Sequence, residues 1–332
     1  MAGTTTRVLF FLALLIGSFA LSQARLAMFI PPGLLGHNNA CKSCKFDRIY
    51  QFSDSISDTG NLIREGEALG PAAAAFARLP YGETFFKHAT GRCSNVMLMI
   101  DYITLAAGLP LLNPYENAEA DFRHGVNFAV AGSTALSAQA LGEKNIGSPI
   151  TNSSLRMQLD WMSKHLNSTC HRDEGSSFHV QLATHCAKML KNSLIMVPAV
   201  VQAIKNATNR VIQDGAVRVI VPGNFRIGCL PIYLTAFETN DSVAYDGHHC
   251  LKSFNNFAMY HNEHLQQAIK ELKEEYHNAT IVIGGDYDLS LGRMCGAPSV
   301  PVCDDPNRHI CWDGHGLFVT SSQNLDVTIN LD

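Results

Sequence analysis

The sequence predicts an α/β fold: one domain built as a three-layer α/β/α sandwich around a mainly parallel central sheet. Three observations carry this. Short apolar runs alternate with longer amphipathic stretches along the chain, the pattern of strands that feed helices and return to the same sheet. Two of the runs, 192–197 and 216–223, are mostly apolar without regular alternation, as strands covered on both faces are. No internal repeat, low-complexity tract or linker breaks the pattern.

Taken in order, "RIYQF" (48–52) reads as the first strand and 96–107 as an apolar helix. "VNFAVAG" (126–132) reads as a strand running into a turn. Residues 154–166 have helical spacing, with Leu155, Leu159, Met162 and Leu166 on one face. "NSLIMV" (192–197) and "AVRVIVPG" (216–223) are expected as buried strands. Between them Pro198 is expected to open a helix whose apolar face is Val201, Ile204 and Ile212, proline being tolerated in a first turn. Residues 252–276 form the longest helix candidate, and "ATIVIGG" (279–285) the strand after it.

The chain has 332 residues, 46% hydrophobic and 16% charged, with a formal charge of −4. That is enough to bury a full core. A near-neutral balance without a Lys/Arg run argues against a nucleic-acid partner. The N-terminus reads as a secretory signal peptide over 1–24: Arg7 is the basic region, Val8 to Leu21 the apolar core, and Ser22-Gln23-Ala24 a small-residue cleavage site. The apolar core is short for a bilayer, and no later run approaches the roughly 18 residues a span needs, so no integral membrane span is expected.

The ten cysteines (41, 44, 93, 170, 186, 229, 250, 295, 303 and 311) all follow that signal. An even count in an exported chain points to disulfides. Cys41-x-x-Cys44 could suggest zinc or redox chemistry, but no second metal-spaced pair accompanies it, and disulfide partners are the preferred reading. Asn-x-Ser/Thr sequons at Asn152, Asn167, Asn206, Asn240 and Asn278 suit the same route.

The stretch "IYQFSDSISDTGN" (49–61) carries the chemistry. A strand followed by a polar turn and a helix places the turn at the sheet's carboxyl edge, where open α/β folds bind ligands. A serine there meets the free N–H groups of the helix start, which suits acyl transfer. The same Ser and Asp residues are equally at home as helix N-caps. From these residues alone both readings stand.

The stretch "FSDSISDTGN" resembles the first block of the plant GDSL esterase/lipases, the secreted branch of the SGNH hydrolases. "LPYGETFFKHATGRCSN" (79–95), "DYITLAAGLPLLNPY" (101–115), "RHGVNFAVAGSTAL" (123–136), "VIVPGNFRIGCLP" (219–231) and "CGAPSVPVCDDPNRHICWDG" (295–314) follow in the family's order. The likeness covers about 46–316 and is strongest to the subgroup that contains acetylajmalan esterase. It implies a flavodoxin-like fold and a secreted carboxylic ester hydrolase (apoplast, cell wall or vacuole) that needs no cofactor and acts on small acylated metabolites or lipid-like esters. By the same likeness Ser55 takes the nucleophile position, with its own N–H and that of Gly132 as oxyanion donors. Asp313 takes the position that orients the catalytic histidine. Ser57 and Asp58 are expected to cap the following helix, and Asn127 to be structural.

The chain also departs from the family. Ser53 stands where the family has glycine, placing a Cβ and a hydroxyl in a tight turn. The Gly-x-Asn-Asp block, source of a third oxyanion donor, is missing before Pro198, and "IGGDY" (283–287) imitates it out of order and without the asparagine. The family ends W-D-G-x-H. Here Trp312, Asp313 and Gly314 lead to His315 and then Gly316, so the histidine sits one residue early. Either His315 serves as the base or the chain has none. The tail 317–332 does not resemble the family's last helix. These gaps suggest internal deletions and an altered C-terminus, and an inactive secreted protein on a hydrolase scaffold is the alternative.

Overall fold

The computed structural model describes residues 47–66, 71–146, 150–169, 178–182 and 193–284. Five strands form one parallel sheet: β1 (Ile49–Phe52), β2 (Gly125–Asn127), β3 (Phe178–Leu182), β4 (Ala216–Pro222) and β5 (Thr280–Gly284), in the order β2-β1-β3-β4-β5. Ile49 pairs with Gly125 on one side and His179 on the other, and Pro222 pairs with Gly284 at the far end. The expected parallel α/β architecture is what the chain adopts.

The helices are α1 (Pro71–Phe76), α2 (Met99–Ala106), α3 (Ala138–Gly142), α4 (Leu155–Thr169), α5 (Ser193–Gln213), α6 (Pro231–Ala236) and α7 (Lys252–Glu275). The pleat of β1 distributes its side chains between two layers. Tyr50 and Phe52 enter the main core with Leu159 and Met162 of α4, Ile204 of α5 and Leu265 of α7. Ile49 points the other way, into a cluster with Leu98, Leu112 and Ile100 of α2. At β1 both sides therefore remove apolar area from water at roughly 25 cal/mol per Å², and all four of its residues are buried.

Two expectations at the middle of the chain are corrected. Residues 193–197, read as a strand, are the first turns of α5, which carries Pro198 in its interior rather than at its start. Met196, Val197, Val200, Val201 and Ile204 are buried while Leu194 and Ile195 are exposed. That is helical spacing, which a six-residue apolar run conceals. Pro198 removes only the N–H that would reach the Leu194 carbonyl. The strand between β1 and β4 is instead Phe178–Leu182. Its Gln181 lies in register with Gln51 of β1, and both are buried. A polar residue at a central position is what hid this strand.

The run 126–132 is strand only to Asn127, but it continues extended beside β1. The Phe128 N–H donates to Gln51 O (2.8 Å) and the Val130 N–H to Ser53 O (3.2 Å). Cys229 and Cys250 are joined by a disulfide. The asparagines of all five sequons are exposed. Among the described residues no helix is long and apolar enough to cross a membrane.

Candidate active site

In a sheet of this order the connection from β1 runs to β2 on one side, and the connection from β3 runs to β4 on the other. The crevice at the carboxyl ends of β1 and β3 is therefore the topological switch point. The turn Ser53–Ser57 leaves β1 there. The Ser57 and Asp58 N–H groups both donate to Asp54 O (3.2 and 3.1 Å), and the Asp54 Oδ1 accepts the Ile56 N–H (3.1 Å). One helical turn results, with Ser55 half-buried on its outer side. Among the described residues nothing hydrogen-bonds the Ser55 hydroxyl, and its N–H donates to none of them.

No α-helix follows this turn directly, which corrects the expected strand–turn–helix. Asp58, fully buried, is the reason. Its Oδ1 accepts the N–H groups of Gly60 (2.7 Å) and Asn61 (2.6 Å), and its Oδ2 those of Leu62 (3.1 Å) and Ala131 (2.8 Å). Three consecutive amides turn toward one carboxylate instead of an i−4 ladder, so a 3-10 turn at Leu62–Arg64 is all that forms. Gly60, at φ +129°, makes that path possible, since a Cβ there would stand 2.5 Å from Thr90 O. Burial outweighs the four donors and pushes the Asp58 carboxyl up to about 6. Asp58 thus caps a loop rather than a helix. Ser57 caps nothing: its buried hydroxyl has no partner among the described residues.

Ser53 fits where the family has glycine because its backbone avoids the left-handed region. Gln158 of α4 holds it in place, accepting the Ser53 N–H at Oε1 (3.1 Å) and donating from Nε2 to Ser53 O (2.8 Å). The cost falls on the Ser53 hydroxyl, buried without a partner among the described residues. Replacing Ser53 by alanine is expected to raise the unfolding free energy by about 1 kcal/mol, read as a higher denaturant midpoint at unchanged m-value.

Gly132 stands in the neighbouring turn. The Ser133 N–H donates to Val130 O (3.0 Å), and Gly132 sits at the third position with φ +82°, the glycine site of a type II turn. A Cβ there would approach the Ile150 Cβ to 2.7 Å. Its N–H, like that of Ser55, donates to no described residue. The structure thus sets the two turns side by side, bridged by the Val130–Ser53 pairing and by Asp58. Asn127 is structural, as expected: its Nδ2 donates to Ser57 O (2.6 Å) and its Oδ1 accepts the Ala129 N–H (2.9 Å). Asn61 closes the frame by donating to Asn127 O and Ala129 O, both at 2.8 Å. Gln158 is the site residue that sequence reasoning missed. Its only sequence signal is a polar residue beside Leu155, Leu159 and Met162 on the apolar face of α4.

Asp313 and His315 lie outside the described residues, as do Cys41 and Cys44. Among the described residues no group of three His, Cys, Asp or Glu side chains is placed to hold a metal. Asn224, after β4, does not supply the missing donor from its backbone, because Asn262 of α7 accepts its N–H (2.7 Å) and donates to its carbonyl (2.9 Å).

The sheet order defines the class: a flavodoxin-like α/β protein, the fold that the SGNH hydrolases share. The chain is 38% identical to acetylajmalan esterase 2 of Rauvolfia serpentina, over 85% of its own length and 88% of the relative's. It is 36% identical to acetylajmalan esterase 1 of the same plant, over 82% of each chain. To a GDSL esterase/lipase of Arabidopsis thaliana it is 34% identical, over 81% of each. No family model matches. The chain belongs to the plant GDSL esterase/lipase family, a family of ester hydrolases.

Proposed function

We propose that this chain is a secreted serine ester hydrolase that cleaves small acylated plant metabolites or lipid-like esters, with Ser55 as nucleophile. The observation that carries the reading is the half-buried Ser55 at the switch point, on a turn joined to that of Gly132 through Val130 and Ser53, with the N–H groups of Ser55 and Gly132 both without a partner among the described residues. In this mechanism the Ser55 Oγ attacks the ester carbonyl and its proton passes to His315, which Asp313 holds in the required tautomer. The carbonyl oxygen becomes an oxyanion that accepts the Ser55 and Gly132 N–H groups. Collapse expels the alcohol, which takes the proton from His315. Water then attacks the acyl-enzyme by the same route and releases the acid.

Export is proposed from the signal-like segment 1–24, with 46–316 as the hydrolase domain and 317–332 as an atypical tail. The exposed sequon asparagines suit glycosylation on that path. A second reading, a catalytically impaired relative, is favoured by one specific observation. The sequence between β3 and α5, Ala183 to Asn192, contains no Gly-x-Asn-Asp. Losing one oxyanion donor costs about 10²–10³ in turnover.

Labelling of the purified chain with a fluorophosphonate, followed by peptide mass spectrometry, decides between them. Modification at Ser55 is expected. A chain that stays unlabelled, or is labelled elsewhere, refutes the nucleophile and leaves the impaired reading.

A further inference from the structure

Gln158 is 1% exposed and contributes nothing to the apolar core it sits in. A buried carboxamide is costly unless its groups are paired, and this one is paired to the two turns of the site and to Ser153. Besides the two bonds to the Ser53 backbone, its Nε2 donates to the Ser133 Oγ (2.9 Å) and lies 3.3 Å from Ser153 O. The Ser133 hydroxyl in turn donates to Ser153 O (2.7 Å), so its lone pairs face Gln158. One side chain therefore grips the residue two before Ser55 and the residue directly after Gly132. On the other side Asp58 grips Ala131, directly before Gly132. The residues on either side of Gly132 are thus both tied to the segment that carries Ser55.

Resting on the serine-hydrolase reading above, we propose that Gln158 is a positioning residue that fixes the spacing and aim of the Ser55 and Gly132 N–H groups toward the oxyanion. An oxyanion pair is effective only when both donors already point at the developing charge, and a displacement of about 1 Å can cost on the order of 10²-fold in rate. A chain without the Gly-x-Asn-Asp block lacks the donor that block would supply to offset such a drift. Gln158 touches no reacting atom; it acts through the two turns.

Gln158→Met keeps the side-chain volume and removes every polar bond. With p-nitrophenyl butyrate, kcat is expected to fall about 10- to 100-fold while KM stays within about threefold. The affinity for butylboronic acid is expected to fall in parallel with kcat. That probe forms a tetrahedral anion when the Ser55 oxygen adds to boron and its proton passes to the base, so it reports the donors without turnover. Leu272→Ala, at the end of α7 that leads to the amino edge of the sheet, destabilises the core but leaves both readouts of the folded fraction at wild-type values. Should Gln158→Met fail to fold, Ser133→Ala removes only the hydroxyl that receives Gln158, and a fall in kcat of about 3- to 10-fold is expected.

Wild-type kcat and boronate affinity in both variants, with Ser55→Ala inert, overturn the role of Gln158 alone. Turnover that survives Ser55→Ala overturns the parent reading instead. A wild-type chain labelled at Ser55 that binds no boronate shows a nucleophile without an oxyanion pair, and this too overturns the proposal.

Discussion

The Ser55→Ala chain is expected to hydrolyse p-nitrophenyl butyrate at least about 10⁴-fold more slowly than wild type, with the folded state intact. The substitution removes one oxygen from a half-buried position that forms no hydrogen bond with the described residues. It therefore leaves no orphaned polar partner among them, and stability should stay within about 0.5 kcal/mol. The size of the effect separates the two readings of the chain. Loss of the third oxyanion donor amounts to about 3–4 kcal/mol, whereas loss of the nucleophile at 10⁴ amounts to about 5.5 kcal/mol. An enzyme already slowed by the first should still show the second clearly. The measurement is initial rate against enzyme concentration, with thermal unfolding as the control. A Ser55→Ala chain within tenfold of wild type would place the chemistry elsewhere.

What the sequence disclosed and what it hid divide along physical lines. β1, β4, β5, α4 and α7 were legible because each has a long apolar face or an unbroken β-branched run. β3 was not legible, because Phe178-His179-Val180-Gln181-Leu182 carries polar residues at positions that the sheet buries. The run 192–197 competes for its place, because its apolar character serves a helix equally well. At the site, the motif placed Ser55 and Gly132 correctly on turns. It could not show that Asp58 would draw an amide from 73 positions away as well as three from its own loop, or that Gln158 would reach back 105 positions to Ser53. Such long-range polar bonds have no periodicity and leave no local trace. Ser53 is tolerated in place of glycine because Gln158 holds its backbone in a conformation open to any residue.

Gln51 and Gln181 are the contrasting case inside the sheet, each burying an Oε1 that has no partner among the described residues. The two are in register on adjacent strands beneath the site, and Gln51 Nε2 donates to Phe52 O (3.0 Å). The strand ends below the serine turn are thus more polar than a doubly covered parallel sheet requires. Buried polar groups restrict the alternatives a core can adopt only when they are satisfied. Asp58 meets that condition most fully, with four donors on two oxygens.

Asp58→Ala is accordingly expected to be the most destabilising single substitution at the site, by about 4 kcal/mol or more. It orphans the N–H groups of Gly60, Asn61, Leu62 and Ala131 together, each costing about 1–3 kcal/mol when buried and unpaired, with part recovered by loop relaxation and entering water. The loss should also depend on pH in a defined direction. With its carboxyl pushed up to about 6 from 3.8, the folded chain holds a proton that the unfolded chain has released. That contribution is fully present below about pH 4 and is lost as pH rises through about 6, a span of about 3 kcal/mol. The stability gap between wild type and Asp58→Ala should therefore be wider at pH 5 than at pH 8 by about 1 kcal/mol. Denaturant titrations of both chains at the two pH values read this directly. A gap that narrows toward pH 5 would mean that the four donors, rather than burial, govern the carboxyl, and that Asp58 strengthens the serine turn as an anion.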